Sequence, residues 1–271
     1  MATPRYEEIA EDLAARITTG EFPAGSTLPG YKDLASPTQY DASKATIEKA
    51  LGLLEARGLV RPVKRGGLRV RHPGPRRVMG TTIDRHPSRG YAFPSAASAS
   101  EPWQVHGRPQ VARLPVPGHI AERLGVPEGT HTVRRRMVTS PAGEGPYQVS
   151  DDWVHPDLLQ QIPQLGEQLI GPGGVPDRTE QAGHGPLTWH RHTRARQPEA
   201  DEAQLLEIPQ ALWVIEMAYV AVSGRTNRPV AVTVRVAPAD RVELADTMRR
   251  APSARWPVTP IEPPSEAIAL G

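Results

Sequence analysis

The sequence predicts an α+β chain in two unequal parts, and three observations carry that expectation. Up to Arg57 apolar residues recur at three- and four-residue intervals, and a short hairpin pattern follows. From Trp103 to about Arg250 strand-like stretches alternate with short helical ones, the pattern of helices packed on a mostly antiparallel sheet. Proline-dense stretches between and after these parts interrupt all periodicity.

Taken in order, residues 4–19 predict a first helix with Tyr6, Ile9, Ala10, Leu13, Ala14 and Ile17 on one face and Gly20 as its stop. "EFPAGSTLPG" is a connector, "YKDLA" a short second helix and "SPTQYDA" a polar turn. "SKATIEKALGLLEARG" predicts a third helix. Ile47, Ala50, Leu51 and Leu54 form its apolar stripe, Asp41 or Ser43 caps its start, and Arg57-Gly58 ends it. "LVRPV" and "LRVRH" flank Lys64-Arg65-Gly66-Gly67, giving two short strands around a basic turn. Three helices and a hairpin are the layout of a winged helix-turn-helix, assigned to residues 1–72.

Residues 73–101, with Pro73, Pro75, Pro87, Pro94 and "SAASAS", are expected to form a Pro/Ser-rich linker. In residues 102–250, "PVPGHIAERLGVPEG", "HPDLLQQI" and "PEADEAQLLEI" predict helices. "HTVRRRMVT", "YQVSDDWV", "HRHTRARQ", "LWVIEMAYVAV" and "NRPVAVTVRVA" predict strands, with "DRVELADTM" closing the domain. Residues 251–271 contain five prolines and are expected to be a Pro-rich C-terminal tail.

Composition narrows the function. At 271 residues the chain suits one large domain or two ordinary ones. The absence of cysteine excludes disulfides, iron–sulfur clusters and thiol catalysis, and fits a cytoplasmic setting. No apolar run reaches 18 residues, and "MATPRYEEIAEDLAARI" lacks an unbroken apolar core, so neither a membrane span nor a signal peptide is expected. There is no G-x-S-x-G, P-loop or H-E-x-x-H, so the chain is expected not to be an enzyme and to need no cofactor. His190 and His192 would share a strand face near His184, but without carboxylates beside them no metal site is expected. Trp153, Trp189 and Trp213 are expected in the core, and Asp151-Asp152 fits a solvated turn.

The net charge of +2 hides an uneven distribution. Residues Met1 to Arg77 hold 13 Lys/Arg against 9 Asp/Glu. No acidic residue occurs from Ala56 to Ile83, where Arg57, Arg61, Lys64, Arg65, Arg69, Arg71, Arg76 and Arg77 fall. Such a run makes a local positive field suited to phosphate; a solvated strand and linker is the plainer explanation of the same charges.

The first part resembles the GntR family of bacterial transcription regulators, through "YEEIAEDLAARITTGEFPAGSTLPGYKDLA", "SKATIEKALGLLEARGLV" and the basic hairpin. The second part is similar to the UTRA effector-binding domain of the HutC branch, through "IAERLGVPEGTHTVRRRMV", "RARQPEADEAQLLEIP" and "GRTNRPVAVTVRVAPADRVEL". The resemblance implies a homodimeric repressor that binds a palindromic double-stranded DNA operator and is released by a small-molecule effector. The rival is a ligand-independent repressor whose C-terminal domain only dimerises.

A recognition helix presents its N-terminal residues to base edges while basic neighbours hold phosphates. Carried onto this chain, the DNA-binding candidates are Lys32, Ser43, Lys44, Thr46, Glu48, Lys49, Lys64, Arg65, Gly66 and Gly67. Glu48 departs from the family, which usually has Arg there. It can accept a hydrogen bond from cytosine N4, pair with Lys44 or Lys49, or weaken affinity for ordinary operators. Two residues around Ser36-Pro37 are also extra relative to the family pattern. The effector candidates are Arg134, Arg136, Asp152, Arg194, Arg196 and Glu216, with strand alternation sending Arg134 and Arg136 to one face and Arg135 to the other. Where the family places Glu, Arg and Tyr on a late strand, this chain has Ala231, Val234 and Ala237. That implies a more apolar effector or a pocket that has lost ligand binding.

Overall fold

The N-terminal part folds around one apolar stripe per helix. A computed structural model describes residues 3–63, 66–71, 74–88, 90–93 and 101–257. Helix α1 (Arg5–Thr18) has Glu7 and Glu8 in its first turn and Arg16 in its last, the order that the helix dipole favours. It buries Ile9, Ala10 and Leu13 against Ile47, Ala50 and Leu54 of α3 (Lys44–Ala56), with Leu34 of the single-turn α2 (Tyr31–Leu34) closing the side. Each leucine and isoleucine among these contributes about 1.5–3 kcal/mol by leaving water. Gly58, at φ +71, turns the chain into β1 (Val60–Val63), which pairs antiparallel with β2 (Gly67–Val70). The loop after α1 adds a third edge: Val70 N donates to Ser26 O at 2.9 Å and Leu28 N to Leu68 O at 2.8 Å.

The second part is built on a six-stranded antiparallel sheet. Its strands are β6 (Trp103–Pro115), β7 (His131–Pro141), β8 (Gln148–Val154), β9 (Thr188–Arg196), β10 (Val214–Val222) and β11 (Pro229–Pro238). Their spatial order is β6-β7-β8-β11-β10-β9. On one face Trp153, Val232, Val234, Val236 and Ala218 meet Ile120, Ala121 and Leu124 of α4 (Gly118–Leu124) and Ala203 of α7 (Ala200–Leu205). The opposite face carries two smaller cores. Val133, Val154 and Ala231 pack on Leu158 and Leu159 of α5 (Pro156–Gln161) and Val175 of α6 (Gly174–Thr179). Met217, Tyr219 and Ala237 pack on Met79 and Phe93.

Those last two partners come from the stretch expected as linker. There β3 (Arg77–Met79) runs parallel to β12 (Val242–Leu244), and β4 (Asp84–His86) pairs with β5 (Gly90–Ala92). Residues 94–100 of that stretch, and 258–271 of the expected tail, lie outside the described residues. The α+β class with a largely antiparallel sheet is as expected. Two expectations are corrected. Trp213 is 53% exposed and not core, because it stands in the loop just before β10. Asp151 and Asp152 form no solvated turn; they lie inside β8, which sends them to opposite faces. Among the described residues no helix is long and apolar enough to cross a membrane.

Candidate functional site

The N-terminus of α3 is organised by its cap. Ser43 has extended backbone, and its Oγ accepts from Thr46 N at 3.2 Å and lies 2.8 Å from Thr46 Oγ1. This satisfies a helix-end donor and fixes where the following side chains emerge. Ser43, Lys44 and Glu48 are exposed along the outer side of the helix, Lys49 is exposed on its α1-facing flank, and Thr46 is half-buried. Lys44 Nζ lies 3.4 Å from Glu48 Oε1, one helical turn away, and 4.8 Å over the ring of Tyr31. Lys49 instead turns toward α1, with Nζ 5.7 Å over the Tyr6 ring. Lys32 is exposed on α2. Tyr31, exposed beside Lys44, was missed in the sequence; its position opening "YKDLA" was the available signal. Gly52 also faces outward on α3, and a methyl there would meet open space.

Gly66 lies in the exposed turn of the hairpin and Gly67 opens β2 at φ +70, a conformation glycine adopts without strain. Lys64 and Arg65 lie outside the described residues. The rest of the basic run is largely compensated in space. Arg57 pairs with Glu11 at 2.7 Å and Arg61 with Glu207 at 2.8 Å. Arg71 donates to Gly58 O at 2.6 Å and to Asp240 at 2.9 Å. Arg77 meets Glu101 at 2.8 Å and Glu144 at 2.7 Å. Arg61 and Arg71 therefore tie the hairpin and its exit to the second part, and the exposed cations of α2 and α3 remain at the outer edge.

The six effector candidates do not converge on one cleft. Five lie on the face covered by α4 and α7, and they are joined to acids there. Arg136 grips Asp151 at 2.8 and 2.6 Å and also reaches Asp201 of α7, while Arg134 Nε lies 3.8 Å from Asp151. Glu216 accepts from Arg194 at 2.8 and 2.9 Å and from Arg196 at 2.7 Å. Arg196 continues to Glu202 at 2.6 and 2.7 Å. Burial alone would raise the Glu216 carboxyl, but Arg194 and Arg196 more than offset that and hold it below the ordinary range. His119 faces the same cluster, where burial and then Arg194 push its imidazole down.

Asp152 is the exception, and it points to the opposite face. Thr233 Oγ1 donates to it at 2.7 Å, and burial raises its carboxyl above the ordinary range. Arg235 shares this face, 4.9 Å over the Phe93 ring and 5.5 Å from that of Tyr219. Arg135 lies there too, donating to the carbonyls of Leu165, Glu167 and Gln168. Beside this group is a cavity of about 270 Å³ lined by Thr81, Ile83, Trp189, Arg191 and Tyr219. Arg235, Thr233 and Tyr219 were missed in the sequence, although alternation from Ala231 and Ala237 already put positions 233 and 235 on this face. His184 bonds Ser223 and Gln161, both at 3.0 Å, and no cluster able to hold a metal occurs among the described residues.

Comparison with known proteins decides the family. The model of bacterial regulatory proteins of the gntR family matches residues 5–70, and the UTRA domain model matches residues 110–243. The chain belongs to the GntR family. This GntR-family chain is a transcriptional regulator and not an enzyme, with a DNA-binding helix-turn-helix and a UTRA effector domain. It is 29% identical over 243 residues to an HTH-type transcriptional regulator of Streptomyces coelicolor, covering 85% of this chain and 86% of that one. It is 21% identical over 232 residues to the HTH-type transcriptional regulator GgaR of Escherichia coli, covering 86% of each. In fold it is similar to a solved GntR-family transcriptional regulator, with TM-score 0.53, 24% identity and coverage of 92% and 99%. It is also similar in fold to PhnF from Mycobacterium smegmatis, with TM-score 0.50, 15% identity and coverage of 90% and 100%.

Proposed function

We propose that this regulator is a homodimeric repressor of a palindromic operator. The observation that carries the reading is the outer edge of α3, where Ser43, Lys44 and Glu48 are exposed and Lys44 stands over Tyr31 of α2. Such an edge suits insertion in the major groove, with the hairpin against the adjacent backbone. Lys32, Lys44, Lys49, Lys64 and Arg65 supply phosphate contacts; Ser43, Thr46 and Glu48 stand nearest the bases. Gly66 and Gly67 let the hairpin approach the sugar–phosphate surface. Selection of binding sites from random DNA, followed by footprinting, tests the assignment. Paired half-sites are expected, and unpaired or random recovery would sink the dimeric reading. In the Lys44→Ala/Lys64→Ala double variant, affinity falls on every sequence and the salt slope drops by about 2, close to 0.9 per lost phosphate contact.

A small-molecule effector binding the Asp152, Thr233 and Arg235 face would favour one of two arrangements of the dimer and so alter operator affinity. The buried carboxyl, hydroxyl and aromatic-stacked guanidinium of that face support this location. The second reading, a domain that only dimerises, is favoured by the pairing of Arg136 with Asp151 and of Arg194 and Arg196 with Glu216, which leaves little polar capacity on the other face. A melting-temperature screen separates them: a ligand whose shift disappears in Asp152→Ala supports the effector site. No shift with any compound across a broad metabolite panel supports the dimerisation module.

A further inference from the structure

A second cavity lies between the winged part and the sheet, away from the Asp152 face. It has a volume of about 550 Å³, and its charged lining is Arg61, Arg69, Arg71 and Arg241 against Glu144 and Glu207. The carboxylates are already committed. Glu144 accepts from both Arg77 and Arg241, and Glu207 accepts from Arg61 at 2.8 Å. Arg71 is held by Asp240 and the Gly58 carbonyl. Arg69 is exposed and has no ion-pair partner among the described residues.

The hairpin register sharpens this imbalance. Arg61 and Arg69 stand directly opposite each other on β1 and β2, so both guanidiniums project from one side of the hairpin. Like charges in that relation repel. Glu207 offsets one of them, from the left-handed position (φ +54) that ends α7, where Ile208 N donates to Ala203 O at 3.0 Å.

We propose that this cavity binds a small multivalent anion, which sits between Arg61 and Arg69 and competes with Glu207 for Arg61. Occupation would free Glu207, at the end of α7, from the hairpin, and so loosen the wing from the sheet. The anion is defined by its chemistry, at least two negative charges within a few ångströms, as in a polyphosphate or a polycarboxylate.

Isothermal titration of the full chain with inorganic pyrophosphate and with citrate tests this, at constant ionic strength. Arg69→Ala should weaken binding roughly tenfold or more, the size of one charge-assisted contact. Glu207→Gln removes the competitor and should tighten binding. An Arg113→Ala variant, exposed on β6 away from the cavity, should leave it unchanged. Equal binding in wild type and Arg69→Ala, or equal loss in Arg69→Ala and Arg113→Ala, would overturn the proposal, as would no binding of either anion. Retention of pyrophosphate alone or citrate alone identifies the source of the anionic groups. Arg69 is exposed, so the variant's fold, checked by circular dichroism, is expected to be intact. The titration needs no DNA, so its failure is separate from failure of the operator reading. A parallel arm measures operator affinity, where pyrophosphate should shift wild type and not Arg69→Ala.

Discussion

The outer edge of α3 and the α7 face of the sheet are both rich in charge, yet they use it in opposite ways. On α3 the Lys44–Glu48 pair is 60% and 57% exposed at 3.4 Å. On the sheet, the side chains of Glu216 and Glu202 are 3% and 5% exposed, and each is gripped by arginine at 2.6 to 2.9 Å. An exposed pair contributes at most about 1 kcal/mol and can be exchanged for a phosphate with little loss. A buried pair cannot be opened from one side without stranding a charge. Charges on which folding does not depend are the ones free to meet a ligand. By that measure the exposed charges of α3 are free to meet a ligand, and the Arg194–Glu216–Arg196–Glu202 network is a brace holding α7 on the sheet.

The largest expected effect tests the brace. Glu216→Ala leaves Arg194 and Arg196 without their shared carboxylate and should cost about 3 kcal/mol, read as a lower urea midpoint for the sheet domain. A cost below about 1 kcal/mol would make the network a surface feature and remove the contrast with α3. Operator affinity, measured where both proteins are folded, should change far less than stability.

Acidity separates the two faces of the sheet. Glu216 is held below the ordinary carboxylate range, so its contribution is present above its unfolded value and disappears as pH falls through its native one. Asp152 is raised by burial, so in the window above the ordinary range the native state keeps a proton that the unfolded chain has released. Its contribution therefore declines as pH rises through that window. Asp152→Asn removes that decline and Glu216→Gln removes the acid-side loss. Melting temperature against pH for the two variants should diverge from wild type on opposite sides. Divergence on the same side would mean that one of the two environments has been misassigned.

The contrast between edge and brace also explains what the sequence could and could not disclose. The three N-terminal helices and the hairpin were legible because their apolar spacing, cap and glycine turn are local. Strand β6 was not, since its half-exposed pattern is broken between His106 and Gln110 by a register shift. Strand β3 exists because Val242–Leu244 lies beside it, a partner far away in sequence. The basic run looked uncompensated for the same reason: Glu101, Glu144, Glu207 and Asp240 return to it only through the fold. Asp151 and Asp152 could have been split between faces from the alternation of "YQVSDDWV", which their pairing as a polar doublet obscured.

A smaller effect probes why α3 is built below its own best stability. Gly52 sits inside the helix, where glycine costs about 0.5–1 kcal/mol relative to alanine, and none of the described residues comes within 4 Å of where its β-carbon would stand. Gly52→Ala should therefore stabilise the winged part by that amount in thermal unfolding. If operator affinity falls at the same time, the missing methyl is needed for close approach to the DNA backbone. Unchanged affinity would restrict the contact surface to the N-terminal turn of α3.

The smallest expected effect on stability falls at Glu48, and it is the most informative about DNA. Removing its exposed pairing with Lys44 by Glu48→Gln should alter stability by less than about 0.5 kcal/mol. Its effect on binding depends on what the carboxylate does. If Glu48 only neutralises Lys44, the substitution frees a cation and raises affinity for all sequences alike, with a steeper salt slope. If it accepts from cytosine N4, affinity drops by about 1–3 kcal/mol on the selected operator and hardly at all on operators altered at that base pair. Measuring both operators at two salt concentrations distinguishes these outcomes, because one is uniform and salt-dependent while the other is confined to a single position. The pairing at 3.4 Å, with both side chains exposed, favours the uniform outcome.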